Sequence, residues 1–178
     1  MEEKTVLTPS QISARERRHA AVHEAGHVVV ARHLGLRILE AGVRKNDLQE
    51  LDEKEWIGSV QCQTEGVAAR KRRMVAVAGV VAEACWEGEE YCHGVYEFFD
   101  TNPEKMSPSD WDFSGCPCGK PSEQLFDAMK QVFELLNSET GGLWNALLVE
   151  ARRLIVQSRL DADLSVHSME AETSSPAP

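Results

Sequence analysis

Ala20-Ala21-Val22-His23-Glu24-Ala25-Gly26-His27-Val28-Val29-Val30-Ala31 sets two histidines and an acid inside an otherwise small and apolar run. Side chains four apart on a helix project from one face, close enough for both imidazoles to bind one zinc ion. Glu24 then lies beside that metal, where it can take a proton from a water whose pKa the zinc has lowered to about 7. A His-Glu-x-x-His string also arises on ordinary surface helices. The small apolar flanks argue against that origin, because two imidazoles and a carboxylate in a core are costly without a partner. The run reads as the metal helix of a zinc-dependent peptidase.

Working outward, Thr8-Pro9-Ser10-Gln11 has the form of a helix start, with Thr8 as N-cap, Pro9 as first helical residue and Gln11 closing a capping box. The helix should run to about Leu34, with Gly35 as its C-cap. Arg37–Val43 and Trp56–Cys62 have strand character and flank a charged segment from Asn46 to Lys54, which predicts a small antiparallel sheet. Gly66 to about Glu87 reads as a second helix whose small residues allow close packing on the metal helix. Gly88 to Met106 reads as a loop. Ser107-Pro108-Ser109-Asp110 repeats the helix-start signature, and Gly115 to Pro121 interrupts the helix that begins there. Helical spacing returns from Ser122 to about Ser138 and from Leu143 to about Leu160. The polar remainder, residues 161–178, reads as a disordered tail after a domain of residues 8–160. The expected class is α+β and mostly α-helical, with the sheet after the metal helix.

The chain has 178 residues, 42% of them hydrophobic, enough for one core but not for a second full domain. A formal charge of -10 argues against a nucleic-acid surface and for a soluble protein. The longest apolar run, Met74 to Cys85, is too short to span a bilayer and carries Glu83, so no membrane association is expected. The start Met1-Glu2-Glu3-Lys4 lacks a secretion-signal pattern. With five cysteines in no regular framework, the expected compartment is the reducing cytoplasm.

A catalytic zinc takes three protein ligands, so a third must be found. His33 has metzincin spacing from His27, but Val30 stands where that motif needs its turning glycine. Six residues on a straight helix turn through about 600°, off the face of the first two histidines. His33 therefore reads as a helix-end histidine near the negative dipole end. Glu83 is the candidate for a gluzincin arrangement, and Asp110 and Asp112 lie farther on. Composition does not rank these three.

The motifs resemble the peptidase domain of the FtsH-like zinc proteases. Its metal helix reads His-Glu-Ala-Gly-His before a small apolar run, as in His23 to Ala31 here. Its next helix carries Ala/Gly-Gly-x-x-Ala-Glu, matched by Ala78-Gly79-Val80-Val81-Ala82-Glu83. Its third ligand is the Asp of a pattern like Ser-Asn-Asp-Leu-x-x-Ala-Thr, to which Ser107-Pro108-Ser109-Asp110-Trp111-Asp112-Phe113-Ser114 is similar. Aligning Ser114 with the family's Ala selects Asp110, with Asp112 as the alternative, and leaves Glu83 a structural carboxylate near the site. The resemblance covers about Thr8 to Leu160 and is specific at these three places. It implies an FtsH-peptidase-like helical domain with zinc as cofactor. No phosphate-binding loop or membrane helix accompanies it, so the expectation is a stand-alone, ATP-independent endopeptidase for flexible or unfolded polypeptides, as a monomer or small homo-oligomer. The alternative is a catalytically silent zinc-binding interaction module on the same fold.

Weaker signals have plainer readings. Cys116-Pro117-Cys118 with Cys92, His93 and Cys85 is a poor match to structural zinc spacing and reads as ordinary thiols. His19 shares the face of His23 but reads as a packing residue, Arg70 to Arg73 as a solvated face, and Trp111 as core. The strand near Trp56 to Cys62 offers an edge to an extended substrate.

Overall fold

Thr8 opens the first helix as its sequence dictates, and the computed structural model describes residues 7–46, 54–88 and 105–173, with residues 161–173 in backbone only. Helix α1 spans Pro9–His33. The Thr8 side chain accepts from the Gln11 backbone N–H, and the Thr8 N–H donates to Gln11 Oε1 at 2.8 Å, so two N-terminal donors are satisfied. Such a cap contributes about 1 kcal/mol. At the other end the Leu36 N–H reaches Ala31 O at 2.9 Å and the Gly35 N–H reaches Arg32 O at 3.0 Å, closing a Schellman motif. Gly35 adopts φ +75, which a side chain would oppose.

Strands β1 (Ile38–Lys45) and β2 (Trp56–Cys62) pair antiparallel, Ala41 opposite Val60 and Lys45 opposite Trp56, with an irregularity between Ile38 and Glu40. The sheet has only these two strands among the described residues, so β2 keeps an outer edge without a strand partner. Helix α2 spans Ala69–Glu87, starting after the expected Gly66 because Gly66 sits at φ +71 in a turn closed by Val67 N–H to Thr64 O. Helices α3 (Pro108–Ser114), α4 (Glu123–Leu136) and α5 (Trp144–Thr173) complete the chain order. The break after α3 falls at Gly115, φ +76, as expected. The backbone of α5 stays helical to Thr173, past the Leu160 limit set by apolar spacing, because polar residues hold a helix without marking a buried face. Most of the segments read as loops, from Gly88 and from Asn46, lies outside the described residues, as do Cys92 and His93. The architecture is α+β and mostly helical with one small antiparallel sheet, the class read from the sequence.

Helix α1 is the axis of the core. Ala21, Val22 and every residue from Glu24 to Ala31 are buried on it, against α2, α5 and the sheet. Close approach to α2 depends on Gly26: an added Cβ would overlap the Ala78 carbonyl oxygen and lie 2.7 Å from Ala82 Cβ. Val28, Val30, Val77, Val81, Leu125, Met129, Leu147 and Leu154 are essentially inaccessible, each contributing about 1.5–3 kcal/mol of burial. Trp111 and Met106 are sealed in the same core and fix α3 to it. Arg32 donates to Glu150 at 3.0 Å, tying α1 to α5, and Arg153 donates to the same carboxylate at 2.8 Å from within α5. No described helix is long and apolar enough to cross a membrane.

Candidate metal centre

One helical turn separates His23 from His27 and leaves their ring centroids 4.9 Å apart. Each ring is aimed by its other nitrogen. His27 Nδ1 lies 2.7 Å from the Val75 carbonyl, which can only accept, so Nδ1 carries the proton there and Nε2 is free to bind a metal. His23 Nδ1 lies 3.1 Å from Glu83 Oε1. The two Nε2 atoms then face Asp110, His27 at 3.6 Å from Oδ1 and His23 at 3.8 Å from Oδ2. These distances are too long for hydrogen bonds. They approach the roughly 3.4 Å between ligand atoms placed tetrahedrally at about 2.1 Å from a zinc ion. Among the described residues, His23, His27 and Asp110 form the one group of three with such geometry, all ligand atoms within 4.8 Å of one another.

Asp110 reaches this position because of how α3 begins. Ser107 is the N-cap: its Oγ accepts from the Asp110 backbone N–H at 3.2 Å and donates to Asp110 Oδ2 at 2.7 Å. Glycines supply the room. A Cβ at Gly79 would overlap the His23 ring, and one at Gly58 would overlap the Glu24 carboxylate. The imidazole therefore rests on the backbone of α2 and the carboxylate on that of β2.

Charge is concentrated here. Burial alone would lower His23, but Asp110 and Glu83 outweigh it and push the imidazole up to about 10. Burial works against ionising Asp110, yet His23, His27 and Ser107 hold its carboxyl below the usual range. Glu83 is likewise held down against burial by His23. Glu24 goes the other way: burial raises it, and the two histidines offset this only in part. Two acids around one imidazole are a setting that a divalent cation satisfies by displacing a proton, so the residues fit a metal.

Two clefts meet at these groups. One, of about 470 Å3, runs along Gly58 to Cys62 of β2 and is walled by Leu39, Val75 and Phe113. The other, of about 690 Å3, extends past Ile12, His19 and Ile57. His23, Glu24, Gly58 and Ser107 line both. No family model and no curated protein matches this chain.

Among the described residues, none of the remaining sequence candidates joins the convergent group. Asp112 is exposed, two residues past the convergent carboxylate. Glu83 stands behind His23 rather than at the ligand face. His33 ends α1 in a groove with Leu34 and Lys71, away from the clefts. His19 is 3.7 Å from Glu87 and packs edge-on to Trp86 while bordering the second cleft, and Trp111 is core. Cys85, Cys116 and Cys118 join no metal-binding group among the described residues. Sequence reading paired Ser107 with Asp110 as a helix cap, which the structure bears out, but missed the hydroxyl's bond to the Asp110 carboxylate, Gly58 and Gly79 as seats for the site, and the Val75 carbonyl. Only the Ser-Pro-x-Asp helix start carried any signal for the first of these.

Proposed function

We propose that this chain is a zinc-dependent metalloendopeptidase of FtsH-peptidase-like kind, hydrolysing peptide bonds in flexible or unfolded polypeptides without ATP. The observation that carries the reading is the convergence of His23 Nε2, His27 Nε2 and the Asp110 carboxylate in a cleft also lined by Glu24. Two imidazoles and one carboxylate suit zinc and leave a coordination position open. A zinc ion held there supplies Lewis acidity toward the scissile carbonyl and lowers the pKa of a water from 15.7 to about 7. Glu24 is the general base, and its buried carboxyl, lifted above the ordinary value, is suited both to accept the attacking water's proton and to hand it to the leaving amine. His23 and His27 do not exchange protons in this scheme, being pinned at Nδ1 by Glu83 and Val75. The outer edge of β2 gives an extended peptide backbone groups to pair with beside the reacting carbonyl. A cytoplasmic location and a monomer or small oligomer belong to the same proposal.

The test is cleavage of unfolded casein by zinc-loaded protein, alongside Glu24→Gln. We expect wild-type cleavage, indifferent to ATP, and none by Glu24→Gln with about one zinc per chain in both. Zinc uptake with no cleavage by the wild type would instead identify the silent zinc-binding module.

A further inference from the structure

We propose that Ser107 is a positioning residue that holds the Asp110 carboxylate in the orientation a metal requires, beyond its part in starting α3. The proposal rests on the metal-binding reading of His23, His27 and Asp110, and not on peptidase activity. A hydroxyl has one proton to give and two lone pairs to receive with. At Ser107 all three are assigned by geometry. The Asp110 N–H, which can only donate, occupies one lone pair at 3.2 Å. An ionised carboxylate can only accept, so the 2.7 Å contact to Asp110 Oδ2 uses the Ser107 proton. The 2.8 Å contact with Ser109 Oγ must then run from Ser109 to Ser107 and fill the second lone pair. No rotation of the Ser107 hydroxyl serves these partners better.

The consequence lies in the carboxylate. Rotation about the last bond of an Asp side chain is broad and nearly two-fold, so position on a helix does not by itself say which oxygen faces a ligand site. Ser107 bonds Oδ2, which lies 3.8 Å from His23 Nε2, and Oδ1 is turned to His27 Nε2 at 3.6 Å. Anchoring one oxygen through a charge-assisted bond fixes the plane of the other, the way partners behind a first ligand commonly tune a metal site. Ser107 also lines both clefts, so the residue borders the site.

The experiment measures zinc affinity by competition with a chromophoric chelator, and thermal melting in the presence of excess chelator, for wild type, Ser107→Ala, Ser107→Gly and Ser107→Thr. Glycine retains most of the N-cap preference of serine but has no hydroxyl, whereas alanine loses both and threonine keeps both. We expect zinc affinity to fall about 10- to 100-fold in both Ser107→Ala and Ser107→Gly and to return to within about threefold of wild type in Ser107→Thr. Melting should separate the variants differently, alanine falling below glycine. Affinity that tracks the melting order, with Ser107→Gly close to wild type, would reduce Ser107 to a helix cap and overturn the proposal. A wild-type chain that takes up no zinc would overturn the metal centre itself, a result distinct from either.

Discussion

Replacing Gly79 with alanine tests whether the site depends on a backbone seat. The new Cβ would lie 2.6 Å from His23 Cε1 and overlap Nε2. Carbon pairs are at ease at about 3.5–4.0 Å, so the ring must give way by roughly 1 Å. Metal sites tolerate deviations of only about 0.2 Å in ligand distance, and Glu83 of the same helix holds the ring's other nitrogen at 3.1 Å. Stability should change little, because two effects oppose: alanine improves on glycine within a helix by about 1 kcal/mol, and overpacking costs about 1–3 kcal/mol. We therefore expect Gly79→Ala to lose about 0–2 kcal/mol of folding stability while zinc affinity drops by about 100-fold or more, the upper end of the range for lost support behind a ligand. Denaturant unfolding and chelator competition measure the two separately. Zinc affinity within about threefold of wild type would refute the reasoning, since it would mean that the His23 ring adapts freely.

Gly26→Ala should behave in the opposite sense, because the obstruction is the Ala78 backbone carbonyl, which cannot swing aside; we expect about 2–3 kcal/mol of destabilisation by denaturant unfolding. Asp110→Ala should strip zinc from the chain by metal analysis, whereas Asp112→Ala, altering an exposed residue, should leave about one equivalent bound. Glu150 supplies a pH signature: burial opposes its ionisation, but Arg153 and Arg32 outweigh this and hold its carboxyl below the ordinary range. A depressed carboxyl stabilises the fold above the unfolded value of about 4.3 and loses that contribution as pH falls through the folded value. Glu150→Gln should thus cost about 1 kcal/mol at pH 7, modest because both arginines stand half in water, and the gap to wild type should close below about pH 4. A gap that persisted in acid would point to packing, not charge.

Much of this molecule was legible because its signals are local. Thr8 and Gln11, Gly35, and Ser107 with Pro108 act on their own helix ends, and each is found where its side-chain chemistry requires. His23 and His27 need only the helical pitch to share a face. Asp110 had to come from a resemblance, since nothing in composition distinguishes it from Asp112; the distinction is which carboxyl three-dimensional packing turns inward. What stayed hidden was carried by groups that a sequence does not spell out. Val75 acts through its carbonyl, and Gly58 and Gly79 act by having no side chain. Gly66 shortened α2 through a left-handed turn that the adjoining helical pattern masked. The polar end of α5 continued the helix where no apolar rhythm called for it.

The two halves of the proposed ligand set sit on elements of very different length, and that difference bears on ion size. His23 and His27 are held at a spacing set by the pitch of one long, buried helix. Asp110 arrives on a helix of seven residues, bounded by Ser107 and by the left-handed Gly115, and anchored beneath by Trp111. A cation of larger radius held there would meet two imidazoles on one long helix on one side and a carboxylate carried by a seven-residue helix on the other. Accommodation of different ions would thus be absorbed by α3, and a structure with cobalt or cadmium in place of zinc should show its displacement there while the imidazoles keep their spacing.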